Sequence, residues 1–258
     1  MSKFCLFLIF WVGLYLHSTG KPISKYSNFL AGTTFRNEMP GLSYSAVLKG
    51  DLPLQIFGTS VESDLPMFVY ITGDGGWNNF SSALCSDLNH MGVPVIALDA
   101  QKYFWKIKSP EETAADLAVV IVKYQKEWKK ERFVFAGFSF GADIVPFLIN
   151  RFPASLGAGL VSSILISPDK TCDFEIHWSD MLSMGISKGK YDVIKEIQES
   201  PFKKFAVVLG SEESLTTRQV FQSTNARVEI LQGNHHFDSD HDTVAKLILN
   251  VMKNPAIR

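Results

Sequence analysis

Short apolar, largely β-branched or aromatic runs recur along the chain at Leu54 to Phe57, Met67 to Thr72, Val93 to Leu98, Phe133 to Ala136, Ser163 to Ser167, Phe205 to Leu209 and Val228 to Leu231. Between most of them the apolar positions fall instead at three- and four-residue spacing, which is the period of a helix. Strand runs alternating with helical stretches predict a mostly parallel central sheet covered by helices on both faces. The clearest helix start is Ser109-Pro110-Glu111-Glu112. There Ser109 can cap, Pro110 can take the first helical position and Glu112 completes a capping box. Ala114, Leu117, Val120, Ile121 and Tyr124 continue that helix to about Trp128 as a core-facing stripe, and Lys126 to Lys130 suit its solvated C-terminal end.

Two stretches depart from this pattern. Residues 1–20 begin Met-Ser-Lys, continue as the apolar run Phe4 to Leu16 and end His-Ser-Thr-Gly, which is the layout of a secretory signal peptide cleaved after Gly20. The run is too short for a bilayer span of about 20 residues, so an exported protein is expected rather than an anchored one. Residues 21–50 have weak periodicity and read as a lead-in, which leaves 51–258 as one α/β domain. The segment from Asp169 to Ser200 is longer than an ordinary connection and reads as a lid or cap insertion.

A formal net charge of −1 gives no electrostatic footprint for nucleic acid. Of three cysteines, Cys5 leaves with the leader, and whether Cys85 and Cys172 pair is open. With no C-x-x-C pair and no H-E-x-x-H, no metal is assigned.

The chemistry concentrates at Arg132 to Asp143, where an apolar strand runs into Gly137-Phe138-Ser139-Phe140-Gly141 and then into a helical stretch. A serine hydroxyl is a poor nucleophile at neutral pH. It has to be held clear of the backbone on a tight strand-to-helix turn, with a base in reach of its proton and a helix N-terminus near the developing oxyanion. Such a nucleophile elbow belongs to the α/β-hydrolase fold, in which the acid and then the histidine follow the serine in the chain. The run Phe205 to Leu209 leads into Gly210-Ser211-Glu212-Glu213-Ser214, and the last strand into Gly233-Asn234-His235-His236-Phe237-Asp238. His236 is preferred as the base, with His235 the alternate, because Gly-x-x-His-aromatic is the commoner arrangement of such loops. Glu213 is preferred as the acid that orients the imidazole, with Glu212 and more distantly Asp169 as alternates. The glycine cluster Gly73-Asp74-Gly75-Gly76-Trp77 falls where this fold puts its oxyanion loop, so backbone N–H groups of Asp74 or Gly75 are expected to act with that of Phe140.

The blocks Gly73-Asp74-Gly75-Gly76-Trp77, Gly92-Val93-Pro94-Val95, Tyr103-Phe104-Trp105, Thr113 to Leu117, Phe138-Ser139-Phe140-Gly141-Ala142-Asp143, Pro146-Phe147, Asp173-Phe174-Glu175-Ile176-His177 and His235-His236-Phe237-Asp238 resemble the bacterial virulence protein family VirJ and the related VirJ-like domain of AcvB. The likeness spans about residues 50–250. It implies an exported α/β-hydrolase and, for AcvB-like members, hydrolysis of lysyl-phosphatidylglycerol; it also implies a secretion-system partner for VirJ-like members. AcvB-like proteins have a longer, two-part chain, and the acid loop Glu213-Ser214-Leu215 of this chain is shorter than the family's usual acidic stretch, which ends in Asp-Ser-Leu. The expected substrate is therefore an aminoacylated phospholipid at the membrane surface, cleaved with no cofactor. Asp74, Asp143, Asp173 and Glu175 are candidates for meeting a lysyl head group, and Tyr103, Phe104 and Trp105 for an apolar wall. A non-catalytic adaptor and a generic carboxylesterase are the alternatives.

Overall fold

The computed structural model describes residues 51–60, 63–176 and 189–255. The expected leader and lead-in, residues 177–188 of the expected lid, and His177 lie outside the described residues. No helix among the described residues is long and apolar enough to cross a membrane.

A seven-stranded sheet forms the centre of the molecule. Its strands are β1 (Leu54–Phe57), β2 (Met67–Ile71), β3 (Val95–Leu98), β4 (Phe133–Phe138), β5 (Leu160–Ile166), β8 (Phe205–Gly210) and β9 (Arg227–Leu231), in the spatial order β1-β3-β2-β4-β5-β8-β9. Only β1 runs antiparallel to its neighbour. The remaining pairs are parallel, with registers such as Ile71 beside Gly137 and Ile166 beside Val208. Parallel strands need crossovers, and helices supply them: α1 (Asn79–His90), α2 (Ala100–Tyr103), α3 (Pro110–Trp128), α4 (Phe140–Ile149), α5 (Ala154–Gly157), α6 (Val193–Glu199) and α7 (Leu215–Gln222), while α8 (His241–Lys253) follows the last strand and packs against α1.

Side chains alternate across β2 and so divide the core in two. Met67, Val69 and Ile71 join the apolar faces of α3, α4 and α6, whereas Phe68 and Tyr70 pack with α1 and α8. Cys85 lies in the second cluster and Cys172 in the first, both buried and both free thiols.

All seven predicted runs are strands, with ends moved by a few residues. The longest extension is β5, which begins three residues before the predicted Ser163 because Ser162 is tolerated in the sheet, its hydroxyl donating to the Lys204 carbonyl at 3.1 Å. Helix α3 matches its sequence signals: Ser109 Oγ accepts the Glu112 N–H at 3.0 Å, and Lys129, in the left-handed region at φ 55°, ends the helix. The expected lid is partly regular. Thr171–Cys172 (β6) pairs antiparallel with Tyr191–Asp192 (β7), and Asp192 then caps α6 by accepting the Lys195 N–H.

Candidate active site

The turn from β4 to α4 is built by contact. A Cβ on Gly137 would lie 2.2 Å from the Gly141 carbonyl, and one on Gly141 would lie 2.2 Å from the Ile71 carbonyl oxygen, so strand and helix approach too closely for any side chain at either position. Between them Ser139 adopts φ 50° and ψ −122°. Its N–H donates to the Ile166 carbonyl at 2.8 Å, and its own carbonyl accepts the Asp143 N–H at 3.1 Å to open α4. The hydroxyl is thereby held half-buried at a helix N-terminus, off the end of the sheet.

His235 reaches that hydroxyl. Its Nε2 lies 3.0 Å from Ser139 Oγ, and its Nδ1 lies 2.8 Å from Glu213 Oε1. A carboxylate only accepts, so the proton sits on Nδ1 and leaves Nε2 free to accept from the serine. The preference for His236 is corrected by this geometry. The His236 N–H donates to Asn234 Oδ1 at 2.8 Å, and its exposed ring rests edge-on against Phe138, with ring centroids 5.2 Å apart. Desolvation, and then the neighbouring His235, push its pKa below the usual histidine range. The loop decides between the two. Asn234 Oδ1 gathers the His236 and Asp238 N–H groups, Phe237 turns into the core at 1 % exposure, and Ser167 Oγ donates to the His235 carbonyl at 2.8 Å. That leaves the His235 ring facing Ser139.

Among the candidate acids, Glu213 is the one bonded to the imidazole. Glu212 is exposed, and its N–H ties the acid loop to the Gly233 carbonyl at 3.0 Å. Asp169 turns its Oδ1 to the Lys170 N–H and gives its own N–H to Asp143.

Phe140 opens α4, so its N–H lies in the first helical turn, where backbone donors are free of intrahelical partners. In the glycine-rich loop the Gly75 N–H is turned to Asp74 Oδ1 at 2.9 Å, which removes it as a ready oxyanion donor and leaves Asp74 as the candidate there. Asp74 is half-buried, and its charge is felt at both His236 and Asp143.

The remaining expected binding residues divide. Asp143 is only 7 % exposed and its Oδ1 accepts the Asp169 N–H at 2.6 Å, so it braces the loop after β5 rather than lining a mouth. Burial holds its carboxyl well above the usual carboxylate range against the opposing Asp169 N–H, and the charges of Asp169 and Asp74 add to the rise. Tyr103 and Phe104 are core residues. The Tyr103 hydroxyl donates to Asp116 at 2.6 Å, and the Phe104 ring packs edge-on against Phe140 with centroids 5.1 Å apart, behind the serine turn. Of the three aromatics Trp105 alone is exposed, at 47 %. Asp173 Oδ1 accepts the Lys190 N–H, and Glu175 is half-buried on the same stretch. Sequence reasoning passed over two residues that shape the site, Phe138 and Ser167. Phe138 was signalled only as the variable position before the serine, yet its ring contacts both histidines.

A mostly parallel sheet with a serine turn after β4, an acid after β8 and a histidine after β9 defines an α/β-hydrolase fold, and solved structures agree. The fold is similar to that of proline iminopeptidase from Mycobacterium smegmatis (13 % identity, TM-score 0.55, covering 78 % of this chain and 94 % of that one). It is similar too to Est1E from Butyrivibrio proteoclasticus (13 %, 0.53, 78 % and 93 %) and to MenH from S. aureus (11 %, 0.57, 78 % and 98 %). At such identities the likeness concerns the fold. The family model described as bacterial virulence protein (VirJ) matches residues 65–256, and the chain belongs to that family. No curated protein matches the sequence.

Proposed function

We propose that this protein is an exported, periplasmic serine hydrolase that cleaves an aminoacyl ester, with lysyl-phosphatidylglycerol as the substrate. The observation that supports it best is the continuous hydrogen-bonded line Ser139–His235–Glu213. In this reading Ser139 Oγ attacks the ester carbonyl carbon while its proton passes to His235 Nε2. Glu213 steadies the imidazolium so formed, and the oxyanion faces the N–H of Phe140 and the Asp74 turn. Collapse of the tetrahedral adduct breaks the ester bond, and the leaving glycerol oxygen takes the proton from Nε2. Water, deprotonated by the same imidazole, then releases the amino acid and restores the serine. Nothing in this sequence of steps needs a cofactor.

Asp74, beside His236, is the carboxylate best placed to favour a cationic acyl group. A carboxylate about 4 Å from an ammonium is worth about 4 kcal/mol at an effective dielectric of 20 before desolvation. Allowing for that loss, lysyl ester should be preferred over alanyl ester by roughly ten- to a hundredfold in kcat/KM, and Asp74→Asn should remove the preference.

The test is labelling by a fluorophosphonate probe together with turnover of lysyl-, alanyl- and unmodified phosphatidylglycerol. Ser139→Ala and His235→Ala should each lose nearly all turnover, and Glu213→Gln roughly ten- to a hundredfold less than either. His236→Ala should keep most of it. A wild type that neither labels nor turns over any ester would leave the adaptor reading in its place.

A further inference from the structure

Ser167 directly follows β5, fully buried and in the left-handed region, at φ 49°. Non-glycine residues adopt such a φ at a cost, and the following Pro168 restricts the backbone further. Glycine would take the conformation freely. What glycine lacks is the hydroxyl, and here the hydroxyl is used: Oγ donates to the His235 carbonyl at 2.8 Å, across 68 residues of chain, while the Ser167 N–H donates to the Val208 carbonyl at 2.8 Å. Two residues on, the Asp169 N–H donates to Asp143 Oδ1 at 2.6 Å, and the Asp143 N–H donates to the Ser139 carbonyl at 3.1 Å. A chain of bonds thus leads from the serine turn, through the first turn of α4 and the loop after β5, to the backbone of the histidine loop.

We propose that Ser167 is a positioning residue that fixes the backbone of His235 so that its imidazole stays in line between Ser139 and Glu213; the proposal rests on the serine hydrolase reading above. An imidazole turns about two torsions. Its two ring bonds define its place only while its own Cα is held, and a displacement of 1 Å in a reacting group costs on the order of a hundredfold in rate. The loop that carries His235 contains three consecutive residues of positive φ, Phe237 to Ser239, and Ser167 ties it to the central sheet just before them. Orienting partners behind a functional histidine serve metal sites in the same way.

The experiment compares Ser167→Gly and Ser167→Ala with wild type in thermal unfolding, in fluorophosphonate labelling rate and in kcat and KM on a soluble aryl ester. Ser167→Gly relieves the backbone while deleting the hydroxyl, so it should fold at least as stably as wild type and still lose about tenfold in kcat and in labelling rate, with KM within about twofold. Ser167→Ala should show the same kinetic loss without the stability gain. Wild-type kcat and labelling rate in a folded Ser167→Gly, or a loss confined to KM, would overturn the positioning role while leaving the hydrolase reading intact. A wild type that does not label would overturn both.

Discussion

Ser139 sits at φ 50° between two positions closed to any side chain, so the strain in its backbone is held in place by the packing of β4 against α4. Strain of this kind costs about 1–3 kcal/mol and is tolerated where a reactive group must be presented. Ser139→Gly should therefore raise the melting temperature by roughly 2–4 °C for each kcal/mol relieved, while abolishing probe labelling. Ser139→Ala keeps the Cβ and should melt close to wild type. Thermal unfolding of the two variants side by side isolates the strain, and equal melting temperatures would refute it. The serine was legible from its neighbours because those steric demands are written locally, as glycine two residues either side. The histidine was only half legible. His235 and His236 are adjacent and chemically alike, and what separates them is a hydroxyl 68 residues away and the side chain of Asn234.

Elements whose signals are local were read well, and those that depend on distant partners were not. Helix α3 carries its own cap, its proline and its apolar stripe within about twenty residues. The two-residue strands β6 and β7 have no pattern to read, since each exists only because the other lies opposite. Asp143 was misread for a related reason: a carboxylate on a helix looks like a surface group until the loop after β5 folds over it. That junction between α4 and the β5 loop has a pH signature. Burial raises the Asp143 carboxyl in the folded chain, so the native state keeps a proton that the unfolded chain gives up near pH 4. The stability this group supplies is full below that pH and is lost as pH rises. Asp143→Asn cannot ionise, and its amide oxygen can still accept the Asp169 N–H. Its melting temperature should match wild type near pH 4 and exceed it at pH 7. A difference that does not grow with pH would show that the carboxyl ionises freely in the native protein.

At the scale of the molecule, strand order and crossovers bring three loops distant in sequence to one rim of the sheet, and the order serine, acid, histidine was legible because that topology allows few alternatives. The substrate, and what holds the protein near it, depend on surfaces that no hydrophobic pattern encodes. One feature of the core was beyond sequence reading for a different reason. Cys85 and Cys172 are buried in separate clusters on the two sides of the sheet, so the seven strands stand between them, and burial pushes both thiols above their usual range. Ellman's reagent should leave both unmodified in the native protein and modify both after denaturation. The melting temperature should be the same with or without a reductant. The described fold is thus closed by packing alone with no covalent link between these two thiols, so the chain should refold to the same structure in an oxidising as in a reducing buffer.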